Sequence, residues 1–279
     1  DCNVQPLSDF DGQKEALALI GELGLPIRKP RLCPGCPHRA SFYAIRKALP
    51  KAIYPSDIGC YTLGLNLGVV DTVIDMGAGI TMASGLWNAY VQDGEKKIIV
   101  ATIGDSTFFH SGTTGLINAV YNDSRFILVI LDNEITAMTG MQPALTQEER
   151  VHGKKGNAIS METLVEGCGV NFVKVVDPFD TNKMIKTLKD AAAYVEDPDG
   201  GIAVIIARHP CVIRFRDLAI PEKIKITIND ECDACGYCHQ RFECPAMVIN
   251  PETEKTEIDR VLCVECGVCL EVCPKQAIK

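Results

Sequence analysis

Three things are scarce in this sequence, and each scarcity removes a class of function. Aromatic residues make up 6% of the chain, and 28 Lys plus Arg face 36 Asp plus Glu, a formal net charge of -8. Nucleic acid is bound by basic patches that this sequence never assembles, so it is not expected as a partner. No run of 18 or more apolar residues occurs, which removes a membrane-spanning helix. An initiator Met and a basic-plus-apolar leader are also missing at Asp1, so the chain is expected to be one piece of something longer.

What is present suits one large domain and one small one: 279 residues, 47% hydrophobic and 23% charged. From about Gln13 to Val212, apolar runs alternate with helix-patterned segments. Strands are predicted over 98–103, 126–131, 171–176 and 202–207, and helices around 38–49, 79–92, 111–122, 160–167 and 181–195. That alternation predicts an α/β fold with a mostly parallel sheet and flanking helices. Strands so uniformly apolar are expected to be buried on both faces. The pattern changes at a charged connector, 214–223. The division is therefore an α/β domain over 1–213, a linker over 214–223 and a small cysteine-rich domain over 224–279. That tail has too few large apolar side chains for an ordinary core, so metal is expected to staple it.

Fourteen cysteines would suggest disulfides in a secreted chain, but eight of them cluster in the tail. Clustered thiolates mean metal and a reducing compartment, so a cytoplasmic location is expected. Cys232, Cys235 and Cys238 stand at two-residue spacing and are followed by Cys244-Pro245. Cys263, Cys266 and Cys269 repeat the spacing, followed by Cys273-Pro274. Zinc also uses such pairs, but it stops at four ligands and rarely takes three thiolates from one loop plus a Cys-Pro. The tail resembles the bacterial two-cluster ferredoxins, a small α+β fold in which the fourth Cys of each run ligates the other cluster. On that resemblance Cys232, Cys235, Cys238 and Cys273 hold one [4Fe-4S] cluster, and Cys263, Cys266, Cys269 and Cys244 hold the other. The five-residue gap between Cys238 and Cys244, against three in the second run, is a departure that leaves the ligand set intact.

Within the α/β pattern, the strand 98–103 runs into Gly104-Asp105-Ser106, and the strand 126–131 runs into Asp132-Asn133-Glu134-Ile135-Thr136. Both lie at carboxyl ends of strands, where open parallel sheets bind ligands. Mg²⁺ takes a carboxylate and a few neutral oxygens and leaves the rest of its octahedron to substrate phosphates. A helix starting near Ser111 is expected to aim N–H groups at the same anion. Read alone, the pieces are equally an ordinary strand-to-turn Gly-Asp and a loop Asn. Together they resemble the GDG…N fingerprint of thiamine-diphosphate enzymes, which implies Asp105, Asn133 and the Ile135 carbonyl as magnesium ligands. Ser106 departs from that fingerprint, which prefers Gly there. The continuation Thr139-Gly140-Met141-Gln142 resembles the segment that follows the magnesium loop in pyruvate:ferredoxin oxidoreductases.

Taken with LCPGCPHR (32–39), GDSTFFHSG (104–112) and LDNEITAMTG (131–140), the chain looks most like a 2-oxoacid:ferredoxin oxidoreductase. The closest resemblance is to the C-terminal half of the large subunit of the indolepyruvate:ferredoxin oxidoreductases. This implies oxidative decarboxylation of a 2-oxoacid, for choice an aryl pyruvate such as indolepyruvate, to an acyl-CoA. Coenzyme A is the co-substrate, and electrons pass through the clusters to ferredoxin. A related 2-oxoacid or phenylglyoxylate oxidoreductase delivering electrons through a flavin subunit to NAD is the alternative, and an electron carrier without a catalytic site is the third reading. The resemblance implies further that a pyrimidine-binding domain comes from another subunit or a missing N-terminal segment, so that the chain alone is inactive. It also implies a third [4Fe-4S] cluster on Cys33, Cys36, Cys60 and Cys211, beside the thiamine site. Cys2 and Cys168 have no metal role. His38 and His110 are the histidines expected to face substrate or cofactor, and Trp87 is expected to pack in the core. Met138 and Met141 are candidates for lining a pocket.

Overall fold

The computed structural model describes residues 12–24, 29–150 and 152–279. Cys2 lies outside them. Asp1–Pro30 and Arg31–Lys279 form separate compact units. In the first, the helix Gln13–Glu22 leaves Leu17, Leu19 and Ile20 exposed.

The second unit is built on a parallel sheet. Its strands are β1 (Pro55–Ser56), β2 (Thr72–Val73), β3 (Val100–Gly104) and β4 (Ile127–Asp132). After the hairpin of β5 (Ile135–Thr136) and β6 (Gln142–Pro143) come β7 (Phe172–Val176) and β8 (Ala203–Arg208). The sheet order is β2-β1-β3-β4-β8-β7, with every neighbouring pair parallel. Side chains alternate across it as strand geometry demands. Ile127, Val129 and Leu131 face one way, with Phe42 and Ile45 of the helix Pro37–Ala48 and Met184 and Leu188 of Thr181–Glu196. Leu128 and Ile130 face the other, with Ile80 of the helix Ala78–Gln92, Leu116 of Thr113–Tyr121 and Val165 of Met161–Gly167.

Expected strands and helices therefore stand where the apolar periodicity put them, with three differences. β7 is the sheet edge and its Lys174 and Val175 are exposed, so burial on both faces holds for β3, β4 and β8 and not for the fourth run. An edge strand pairs with a neighbour on one side only. The helix expected near Ser111 starts earlier, at Asp105 directly after β3, and reaches Tyr121 through a π-turn at Phe108–Gly112. The connector 214–223 is no free tether. Arg216–Ala219 is helical, and Ala219 and Ile220 are buried with Val212 against Val264 and Cys266.

The tail carries an antiparallel pair, β9 (Met247–Ile249) and β10 (Thr256–Ile258), and a bridge between Ile228 and Ile278. Its two halves repeat a backbone device. Ala234 and Gly236 around Cys235, like Glu265 and Gly267 around Cys266, have positive φ. Alternating hands turn successive N–H groups inward, the concavity that holds anionic clusters. Gly267 is required twice over, since a Cβ there would also meet Ile224 at 2.7 Å. The tail packs on the α/β layer through Ala40 and Tyr43, which join Phe242, Met247 and Val272.

Candidate functional site

The chain order reverses between β1 and β3, and a cavity of ≈ 110 Å³ opens at the carboxyl ends of β1, β3 and β4. Gly104, Asp105, Ser106, Asn133, Ile135, Thr136 and Thr139 line it together with His38 and Cys60. Two segments 27 residues apart in the notation Asp105 and Asp132 thus meet because β3 and β4 are neighbours, with Gly104 opposite Leu131. The Thr136 hydroxyl donates to Ser106 Oγ at 2.7 Å and ties them. That bond gives a physical reason for the serine where the thiamine fingerprint prefers glycine. Gly104 has no such latitude, because a Cβ would sit 2.5 Å from the Tyr61 ring.

Asp105 is 3% exposed. Its Oδ1 accepts the Ser106 N–H at 2.7 Å, while Oδ2 is buried with no hydrogen-bond partner. Burial, and then the charge of Asp132, push its pKa well above the usual carboxylate range. A buried carboxylate oxygen without a partner is costly, and a hard divalent cation would offset both the desolvation and the repulsion. Asp132 itself is answered by Arg208, whose Nε donates to it at 2.6 Å while Nη1 holds Glu162 at 2.7 Å. Glu134, at φ 64, turns the chain sharply between Asn133 and Ile135. Asn133 Oδ1 takes the Ile135 N–H at 3.3 Å. The helix start after Gly104 lies at the same edge, with the Ser106 N–H on Asp105 Oδ1. The residues present fit a magnesium-bridged diphosphate.

His38 is buried at the cavity, edge-on to Tyr61 at 5.9 Å, with Nε2 3.3 Å from Asn133 Nδ2. Burial lowers its pKa to about 4, so the ring is neutral at pH 7 and accepts from the amide. That fixes the Asn133 amide with its oxygen on the Ile135 N–H and one lone pair left for a further partner. His110 lies exposed on the π-turn and does not line the cavity. Gly140 and Gln142 do not line it either. Gln142 Nε2 donates to the Thr139 carbonyl at 2.8 Å and Gly140 takes φ 122, so both shape the β5–β6 hairpin that carries Met138 and Thr139. Met138 lines the cavity and Met141 does not; Met76, unremarked in the sequence, does. Trp87 is half-buried and packs against the core rather than within it. Asp57 was also missed. It is fully buried and accepts the N–H groups of Ile58, Gly77 and Gly79, fixing the start of the helix Ala78–Gln92. A single Asp before Gly59-Cys60 carries no spacing signal.

The cysteines fall into three groups. Cys232, Cys235, Cys238 and Cys273 surround one hollow of ≈ 20 Å³, and Cys244, Cys263, Cys266 and Cys269 a second of ≈ 20 Å³. These are the two interleaved sets, and the near-equal sizes suit identical cargo. Burial is the main cause that raises the thiols of Cys238, Cys266 and Cys269, and the lesser contributions divide the same way, from Cys273 on Cys238 and from Cys244 and Cys263 on Cys266 and Cys269. Among the described residues no three His, Cys, Asp or Glu close on a single metal ion. In the third group, desolvation and then the charge of Cys211 raise the Cys33 thiol, and desolvation with Cys33 and Cys211 raises Cys60. Desolvation pushes Cys36 up to about 12. Cys168 stands apart, beside the core on the opposite sheet face.

Comparison with known proteins matches this geometry. Residues 57–207 match the family described as thiamine pyrophosphate enzyme, C-terminal TPP binding domain, and residues 256–279 a 4Fe-4S binding domain. The chain is 45% identical to the indolepyruvate oxidoreductase subunit IorA of Archaeoglobus fulgidus and 44% identical to that of Thermococcus kodakarensis. Those matches cover 99% and 98% of this chain but 43% of each relative, so the chain spans less than half of their length. In fold it is similar to a 2-oxoglutarate:ferredoxin oxidoreductase from Magnetococcus marinus, with TM-score 0.54 and 19% identity over 66% of this chain and 64% of that one.

Proposed function

The chain belongs to the thiamine pyrophosphate enzymes, in their C-terminal TPP-binding domain, and from that premise we propose that it binds the cofactor's diphosphate and exports electrons in a 2-oxoacid oxidoreductase. An aryl pyruvate, with indolepyruvate first, is the proposed substrate, coenzyme A the co-substrate and ferredoxin the acceptor. One observation carries the reading. Cys60 lines the thiamine cavity and at the same time answers electrostatically to Cys33 and Cys211, so a cluster-ligand candidate forms part of the cofactor's wall.

When bound, thiamine diphosphate supplies the nucleophile and electron sink for decarboxylating a 2-oxoacid. The protein's part is to hold it and to drain electrons. Asp105, Asn133 and the Ile135 carbonyl hold Mg²⁺, and the helix start at Asp105–Ser106 faces the diphosphate. Neutral His38 holds the Asn133 amide. Cys33, Cys36, Cys60 and Cys211 hold the first acceptor.

The loop that carries Cys33 and Cys36 adjoins the next hollow. Gly35, between Cys33 and Cys36, takes φ 71, and a Cβ there would meet Val264 at 2.6 Å. Pro34 and Gly35 also line the hollow of Cys244, Cys263, Cys266 and Cys269. In the set with Cys232, Cys235, Cys238 and Cys273, Cys235 is exposed. Tyr237 lines that hollow and also a basic one formed with Tyr43, Arg46, Lys47 and Arg241, which suits an acidic carrier on a chain otherwise of negative charge.

The thiamine cavity is small beside the roughly 300 Å³ at which small-molecule sites usually begin. A pyrimidine-binding domain on another segment or subunit is its proposed other wall. The test is coenzyme-A-dependent dye reduction across a panel of 2-oxoacids. The complete complex is expected to prefer aryl pyruvates, and the 279-residue chain alone to be inactive. Robust turnover by the chain alone, or no 2-oxoacid oxidation by the complex, would reject the reading.

A further inference from the structure

Arg39 is the last residue of LCPGCPHR, and neither the thiamine cavity nor any cysteine set includes it. It is 1% exposed, in the first turn of the helix Pro37–Ala48. One terminal nitrogen donates to the carbonyls of Phe242 at 2.9 Å and Glu243 at 2.7 Å, the two residues before Cys244. The other donates to the carbonyls of Leu32 and Cys33, the latter at 3.2 Å. The guanidinium thereby joins the Cys33–Cys36 loop to the backbone that presents Cys244, with the Phe242 ring 5.7 Å from its centre.

The electrostatics of this placement are unusual. Among the described residues no carboxylate lies within ion-pair distance of Arg39, and the nearby Glu243 side chain is taken by Arg31 at 3.4 Å. Arg39 Nε is buried without a partner. A buried guanidinium with only carbonyls around it is strongly disfavoured unless negative charge comes from elsewhere. Iron-bound thiolates would supply it from both sides, because the guanidinium donates to the carbonyl of Cys33 in one set and to that of Glu243, the residue before Cys244, in another. An iron-sulfur cube with four thiolates is anionic in either redox state and gains one more charge when reduced.

We propose that Arg39 is a positioning residue and the shared counter-ion of two clusters, the one on Cys33, Cys36, Cys60 and Cys211 and the one on Cys244, Cys263, Cys266 and Cys269. It stabilises the reduced form of both and fixes the spacing across which one electron leaves the first and enters the second. No bond forms or breaks in that step and no proton is required. The role rests on the reading of these cysteines as cluster ligands.

The experiment is an EPR-monitored redox titration of the complete complex, prepared anaerobically with iron quantified, in wild type, Arg39→Gln and Arg39→Lys. Losing the cation is expected to lower the reduced-to-oxidised ratio of both clusters at fixed potential by about tenfold, ~59 mV for a one-electron couple. Arg39→Lys is expected to stay near wild type, and the cluster on Cys232, Cys235, Cys238 and Cys273 to be unmoved in both. Arg39→Gln with full iron and unchanged potentials, or an equal shift in all three clusters, would overturn the role alone. If Arg39→Gln loses its iron, the Lys variant decides. Wild-type iron and potentials there support the counter-ion, and defects equal to those of Gln reduce Arg39 to a clamp and overturn it. An iron-free wild-type complex would overturn the ligand reading and this role with it.

Discussion

Replacing Asp105 with Ala is expected to strip the complete complex of thiamine diphosphate. Asp105 is the one carboxylate among the proposed magnesium ligands, and its buried Oδ2 has no partner within the chain. Even residues that merely support a metal ligand cost roughly 10–100-fold in metal affinity when lost, so removal of the carboxylate itself is expected to cost at least as much. The same substitution separates binding from folding. Burial and Asp132 raise the Asp105 pKa, so in the metal-free protein its ionisation works against the fold as pH rises through that raised value. The metal-free variant is therefore expected to melt at or above the metal-free wild type at neutral pH, while gaining nothing from added magnesium and cofactor. Unaltered cofactor content in the purified variant would reject the assignment.

The second large effect is in iron. Three [4Fe-4S] clusters imply about 12 Fe per chain and two imply about 8. Cys60→Ala is expected to take the complex from the higher value towards the lower and to abolish 2-oxoacid-dependent reduction of the remaining clusters, since Cys60 stands where the cofactor cavity meets Cys33 and Cys211. The competing account has Cys33 and Cys36 as a redox or zinc pair, with Cys60 and Cys211 as packing residues. Under it, active wild type would already hold about 8 Fe, and Cys60→Ala would change nothing.

Much of this was legible in the sequence because the signals are local. The apolar runs of β3, β4 and β8 and the polar residues ending them carry both strand and site in a few consecutive positions. The interleaved cysteine sets are what the resemblance to two-cluster ferredoxins implies, and the two hollows divide the eight thiols in that way. What was not legible depends on distant partners. Nothing in the run 171–176 says that it has a neighbour on one side only. His110 and His38 look alike in sequence, yet a π-turn leaves one exposed while a helix start buries the other. Gln142 belongs to the fingerprint but acts through its hairpin. Arg39 meets Phe242 and Glu243 more than 200 positions away, so no spacing rule could reveal that link.

One measurement bears most directly on the claim that this chain takes electrons from a thiamine-bound substrate. The complete complex is mixed anaerobically with indolepyruvate, frozen at intervals and followed by EPR, with and without thiamine diphosphate and Mg²⁺. Reduced iron-sulfur signals are expected to grow in only when the cofactor and metal are present, and to vanish in Asp105→Ala. Clusters that stay oxidised with every 2-oxoacid tried, or that reduce equally well without the cofactor, would contradict it.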